Sequence, residues 1–185
     1  MQSVSDDRPG HPFLAFLNTV RDDGKTRRLN SFDTPEDLIA RLDRAGLRIG
    51  GPPPNRGQLD QALMLRETAY ATLSAMAAGR RPGREDALDM ETAIKAVLAD
   101  GQFRFSKAGL DIAPGPLAGL HDVLVLSLID LLRSPAIGRL RECRRCTHLF
   151  LDHGRGPGRH WCSMARCGNR AKSESFRRRQ KAAPG

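Results

Sequence analysis

No run of apolar residues in this chain approaches eighteen, so no segment is long enough to cross a bilayer as a helix. The opening residues, MQSVSDDRPG, lack the basic-then-apolar order of a secretory signal, and a cytoplasmic location is expected. Cysteine is missing from the first 142 residues; all four cysteines fall in the last quarter. Acid is nearly missing from that quarter. From Arg139 to the end there are thirteen Lys or Arg and three Asp or Glu, a balance of +10 against +9 for the whole 185 residues, which leaves −1 for the first 138. The constellations that catalysis needs are missing too. There is no nucleophile beside a base, no paired carboxylates and no phosphate loop, since GPPPNRG has glycines without the spacing or lysine of a P-loop. No catalytic residue is assigned, and the chain is expected not to be an enzyme.

What is present reads as two parts, a near-neutral body over 1–136 and a cationic, cysteine-bearing tail over 137–185. The hydrophobic fraction of 39% is enough for a core in the body. HPFLAFLNTV offers Phe13, Phe16, Leu17 and Val20 at helical spacing behind Pro12, although so short an apolar run is also compatible with a strand. SFDTPEDLIARLDRAGL predicts a helix capped by Asp33 or Thr34, opened by Pro35 and ended by Gly46. A longer helix is expected from about Gly57 to Ala78, with Leu59, Ala62, Leu63, Ala69, Tyr70, Leu73 and Ala77 on one face. Arg66 falls in the middle of that face. Its charge must find an acceptor or reach the rim, so it is either paired for structure or an anchor for a polar or anionic ligand, with Asn18 as a neighbour. A further helix is expected from about Arg84 to Leu98, a short hairpin in QFRFSKAGLDIA, and a central apolar helix in PLAGLHDVLVLSLIDLLRS. His121 and Asp122 on that last helix read as an ordinary surface pair.

The tail cysteines are spaced Cys143-x2-Cys146, fifteen residues, then Cys162-x4-Cys167. Two close thiolate pairs suit one tetrahedral structural zinc with no open coordination position. A two-residue gap lets a knuckle turn both sulfurs to one ion. THLFLDHGRGPGRHW reads as strand, turn, strand, and the second pair falls at a helix start, where amide dipoles favour thiolate. Disulfides are disfavoured in a cytosolic chain. Four cysteines could also hold an iron–sulfur cluster, although the hairpin-plus-helix context favours zinc, and His148, His153 and His160 are spare donors. Phe150, Trp161 and Phe176 are expected to form a small core beneath the metal, which for so small a unit supplies much of the folding energy.

Around these cysteines, FLDHGRGPGRHWCSMARCGNRAKSESFRRR resembles the CGNR zinc-finger family. The tetrapeptide stands at Cys167, Gly168, Asn169 and Arg170, with Asp152, Arg159, Trp161, Cys162, Ala171 and Lys172 in matching places. FLNTV and the LRE of residues 65–67 resemble the companion ABATE domain. The resemblance implies a bacterial, stress-induced transcription regulator in which the body senses a ligand and the finger binds DNA. The chain departs from the pattern at Gly154, Arg155 and Gly156 in place of a Ser-Arg-Asn type turn, at His160 in place of arginine, and at Ser173, Glu174 and Ser175, which interrupt the basic helix.

The expected architecture is α+β: a helix-dominated N-terminal domain with a short hairpin, then a treble-clef-like finger of knuckle, β-hairpin and α-helix. Cys143, Cys146, Cys162 and Cys167 are the metal ligands for one structural Zn2+. Arg155, Arg159, Arg166, Arg170, Lys172, Arg177, Arg178 and Arg179 are the candidate nucleic-acid contacts, suited to phosphate backbones. With a helix starting near Ala165, Arg166, Arg170 and Arg177 would share a face. Asn18 and Arg66 are the candidate ligand residues. DNA, a small-molecule effector and a second copy of the chain are the expected partners, with no membrane. The other reading is a zinc-stabilised module that docks protein or RNA, and a third is an enzyme working around Asn18 and Arg66.

Overall fold

The computed structural model describes residues 9–21, 25–115, 118–154 and 158–182. The N-terminal apolar run resolves as a helix, α1 (Pro12–Leu17), because Pro12 sits at its start and the His11 ring accepts the Phe13 N–H at 3.1 Å. Phe13, Leu14, Phe16 and Leu17 are all buried on it, and Val20 leaves the helix to bridge Asn30. Helix α2 (Pro35–Arg44) is capped by Thr34, whose hydroxyl accepts the Asp37 N–H at 3.2 Å, and it ends at Gly46 with φ +90. Helix α3 (Arg56–Ala77) opens on a reciprocal pair: the Asn55 side chain accepts the Gln58 N–H and the Gln58 side chain accepts the Asn55 N–H. Helix α4 is Arg84–Asp100 and helix α5 is Leu120–Arg133.

Helices α3, α4 and α5 pack on one another, α1 packs on both α3 and α5, and α2 lies against α1. Their common core holds Phe13, Phe16, Leu73, Leu124, Leu128 and Leu131, each without exposed surface. Burying a side chain of this size stabilises the fold by about 1.5–3 kcal/mol. Strands β1 (Gln102–Ser106) and β2 (Gly109–Ala113) form a separate antiparallel hairpin, turning at Gly109 with φ +112.

A 3-10 turn, Pro135–Arg139, leads into the tail, where β3 (Leu140–Glu142) pairs antiparallel with β4 (Leu149–Leu151). Alternation along β4 divides its side chains between two cores. Leu149 and Leu151 join Leu140 in the body's core, while Phe150 points to the cysteines. The tail is therefore built onto the body and shares apolar surface with it.

One expectation about the hairpin is corrected. The strand before the Gly/Pro turn forms as β4, but its partner is β3, ahead of Cys143, and among the described residues no return strand follows the turn. The outer edge of β4 is already taken. The Leu151 N–H donates to Pro9 O at 2.9 Å, and the Asn18 amide both donates to Leu149 O (2.8 Å) and accepts the Leu149 N–H (2.9 Å). Asn18 stands in for a neighbouring strand and blunts that edge. Meanwhile the Asp152 carboxylate accepts the N–H groups of Gly154 and Arg159, which ties these two residues to Asp152 rather than to a strand ladder, and Gly158 takes φ +94. The tail ends in a π-helical turn, Met164–Gly168, continuous with helix α6 (Asn169–Ala182).

Candidate metal centre and cationic helix

The knuckle between β3 and β4 closes through the Cys143 N–H on His148 O at 2.9 Å, which points Cys143 and Cys146 to one side. The Arg144 N–H holds His160 O at 3.0 Å and so brings the second cysteine pair alongside. Ser163 then organises the π turn: its hydroxyl accepts the Arg166 N–H, and its carbonyl accepts those of Cys167 and Gly168.

The result is a cluster in which one sulfur from each of Cys143, Cys146, Cys162 and Cys167 lies within 4.8 Å of the others. Cys146, Cys162 and Cys167 stand 3.6 Å apart pairwise. A disulfide would need about 2.05 Å, so none is formed. Zinc–sulfur bonds of about 2.3 Å in a tetrahedron place sulfurs about 3.8 Å apart, close to the observed separations. All four side chains are buried, so no ligand position faces water.

The ionisation of the thiols argues the same way. Hydrogen bonds from Cys146 and Cys162 drive the Cys143 thiol far down, and that thiolate in turn holds Cys146 up at about 12 and pushes Cys162 up. Burial, then the Cys143 charge, raises Cys167. Four thiolates this close repel one another, and a divalent cation is what offsets their charge. The donor set fits zinc. His153 and His160 are exposed and stand outside the cluster, as does His148, and the expectation that the cysteines suffice as ligands holds.

Trp161 packs half-buried against the cluster with Phe150. A Cβ on Gly168 would come within 2.6 Å of Met164 Sδ and 3.1 Å of the Trp161 ring, so glycine here lets both side chains close over the turn. Phe176 does not join them. It is 55% exposed on α6, because only the first turns of that helix lie against the tail.

The cationic candidates divide. Arg166, Arg170, Lys172, Arg177, Arg178 and Arg179 are exposed on the π turn and α6. Arg159 is half-buried with its guanidinium 4.1 Å over the Phe150 ring, which makes it a cover for the metal core rather than an outward contact. Arg155 lies outside the described residues. The expected line of Arg166 with Arg170 and Arg177 assumed one continuous α-helix, but the wider π turn intervenes between Arg166 and Arg170.

Asn18 and Arg66 are not brought together as a ligand site. Asn18 spends its amide on Leu149. Arg66, 4% exposed, donates from Nε to Glu67 (2.7 Å) and from one terminal nitrogen to both the carbonyl and the hydroxyl of Thr19 (3.1 Å each). Burial lowers the Arg66 pKa, and Glu67 works against that shift. Glu67 also receives Arg27 Nε at 2.7 Å, and the two arginines hold its carboxyl below the ordinary value against the upward push of burial. Arg27 continues the network to Leu17 O at 3.0 Å and lies 3.8 Å over the Tyr70 ring. Burial, then the Glu142 charge, pushes Tyr70 to about 12; its hydroxyl donates to Glu142 on β3, as does that of Ser74. Clefts of about 610, 380 and 470 Å³ mark the surface, and neither Asn18 nor Arg66 lines any of them. Arg27, Glu142 and Arg145, which pairs with Glu174 of α6 at 3.3 Å, were not singled out from sequence. Partners 29 to 72 residues apart leave no local signature; Glu67, adjacent to Arg66, was the one visible clue.

A helical body joined to a buried four-cysteine cluster and a basic helix defines a two-part zinc-finger protein. The family model described as "Putative stress-induced transcription regulator" (ABATE) matches residues 10–135, and the CGNR zinc finger model matches 139–180; the chain belongs to the ABATE family and carries a CGNR zinc finger. Its four cysteines are the ligands of one structural zinc. No curated protein matches the chain significantly. Among the described residues, no helix is long and apolar enough to cross a membrane.

Proposed function

We propose that the protein is a DNA-binding transcription regulator of the bacterial cytoplasm, in which zinc fixes the base of α6 and α6 meets the nucleic acid, with no catalytic step. The observation that carries this reading is the exposure of Lys172, Arg177, Arg178 and Arg179 on a helix whose far half, among the described residues, lies open. A helix polar on all sides gains little from tertiary packing. Its single acid, Glu174, pairs with Arg145, and the helix keeps a strong cationic balance. Such a display gains from phosphate contacts through counterion release.

Titration of a random-sequence duplex at several salt concentrations tests the reading. The expected result is affinity that falls steeply with salt, with a slope shallower by about two in the Arg177→Ala, Arg179→Ala double variant. Absence of duplex binding at low salt, or binding to RNA or protein alone, contradicts it.

Effector sensing by the body is a further part of the proposal, and its place is the cleft of about 610 Å³ between α1 and α2, where Arg44 reaches open surface. Arg66 is committed to Thr19 and Glu67 and is not the anchor.

A further inference from the structure

Helix α6 presents more than charge. At 100° per residue, Asn169, Ser173, Phe176 and Gln180 fall within about 60° of one another and form a single line along the helix. On the opposite side lie Ala171 and Ser175, half-buried, so the line faces away from the part of the tail on which the helix starts. On one side of it stand Arg170 and Arg177, and on the other Lys172 and Arg179, each pair seven residues apart and about 80° from the line's centre. The order across the surface is cation, neutral reading groups, cation.

We infer that this line enters the major groove of duplex DNA and reads base edges there, while the flanking pairs hold the phosphates of the two strands. The inference rests on the DNA-binding reading and goes beyond it by naming the groove, the face and the base class. A B-form major groove about 12 Å wide admits a helix, and residues 169–180 span about 16 Å, or roughly five base pairs. The chemistry of the line selects A·T pairs. Asn and Gln amides pair with adenine N6 and N7, a serine hydroxyl serves either base, and an apolar ring packs on the thymine methyl. The Ser173 hydroxyl donates to Asn169 O at 3.0 Å, which leaves its oxygen to accept from adenine N6. Phe176 is the sharpest pointer. It is the one large apolar side chain on α6, it is 55% exposed, and it lies between the two cationic flanks. A-form RNA, with a major groove too narrow for a helix, does not accept this surface.

The experiment is selection of binding sites from a random duplex library by the full, zinc-loaded chain, followed by affinity measurements on the selected site and on random duplex. Phe176→Ala, Gln180→Ala and the pair Arg177→Ala, Arg179→Ala are compared, with zinc content and helical signal as checks of folding. The expected outcome is an A·T-containing consensus. Phe176→Ala and Gln180→Ala each lower affinity for it about tenfold while random-duplex affinity stays within about twofold. The arginine pair lowers both affinities together. A consensus kept in full by Phe176→Ala and Gln180→Ala overturns the inference while DNA binding stands. No duplex binding at any salt concentration overturns the DNA reading and the inference with it.

Discussion

The body and the tail hold themselves together by different means. In the body, α1, α3 and α5 bury Phe13, Phe16, Leu73, Leu124 and Leu128 against one another, and the apolar area removed from water is large enough to support a fold. At the centre of the tail there are four sulfurs, Phe150 and part of Trp161, too little apolar surface to offset the entropy of ordering the chain. Metal does there what leucine does in the body. The difference shows how each part can fail. The body loses stability in increments as side chains are cut back, whereas the tail depends on one ion. Two devices tie the parts together: the Asn18 amide on the edge of β4, and the polar network that runs from Arg66 and Glu67 through Arg27 and Tyr70 to Glu142.

Chelation separates the two regions most sharply. Removing zinc withdraws on the order of 10 kcal/mol from the tail, while α3, α4 and α5 keep their packing. Far-ultraviolet circular dichroism is expected to retain most of its helical signal. Fluorescence of Trp161, the chain's only tryptophan, is expected to shift as its cover opens. Coincident loss of both signals would show one cooperative unit rather than two.

Leu128→Ala, at a site without exposed surface, attacks the other side of the comparison and is expected to cost about 2–5 kcal/mol in denaturant unfolding, with zinc bound until the body melts.

Glu67→Gln tests the link. It leaves Arg27 and Arg66 buried with one shared acceptor neutralised, and because Glu67 is itself 44% exposed, solvent screening holds the cost to about 2 kcal/mol near neutral pH. Because the folded-state pKa of Glu67 is depressed, its contribution is present above the ordinary carboxylate value and is lost as pH falls through the folded value. The stability gap between wild type and Glu67→Gln should therefore close as the solution is acidified below the ordinary carboxylate range. A gap independent of pH would show that packing, not charge, is what the substitution removes.

Asn18→Ala is expected to have the smallest effect, about 1 kcal/mol, since it removes the partner of both polar groups of Leu149 at a part-buried edge. It should also speed zinc loss to a chelator by loosening β4.

How much of this was legible in the sequence follows from the range of each interaction. Caps were readable because their parts are neighbours: Thr34 with Asp37, and the end at Gly46. The metal ligands were readable because the two-residue and four-residue gaps carry the geometry, and Trp161 beneath them because it adjoins Cys162. The placement of Phe176 was not. Its helical spacing says nothing of whether α6 folds back on the tail, and α6 instead projects. Arg66 was correctly seen as needing an acceptor, but Thr19 lies 47 residues from it and Arg27, which shares Glu67, lies 40 residues from that glutamate. The missing return strand has the same cause: the competitor for the β4 edge is Asn18, 131 residues from Leu149.

The central claim, that one buried structural zinc shapes the tail and presents α6, is tested most directly by metal analysis of freshly purified, reduced, full-length protein. The account predicts one zinc per chain, with all four thiols protected from alkylation until a chelator is added. Absent metal, iron in its place, or any of the four cysteines modified at the rate of a free thiol while zinc is bound would contradict it.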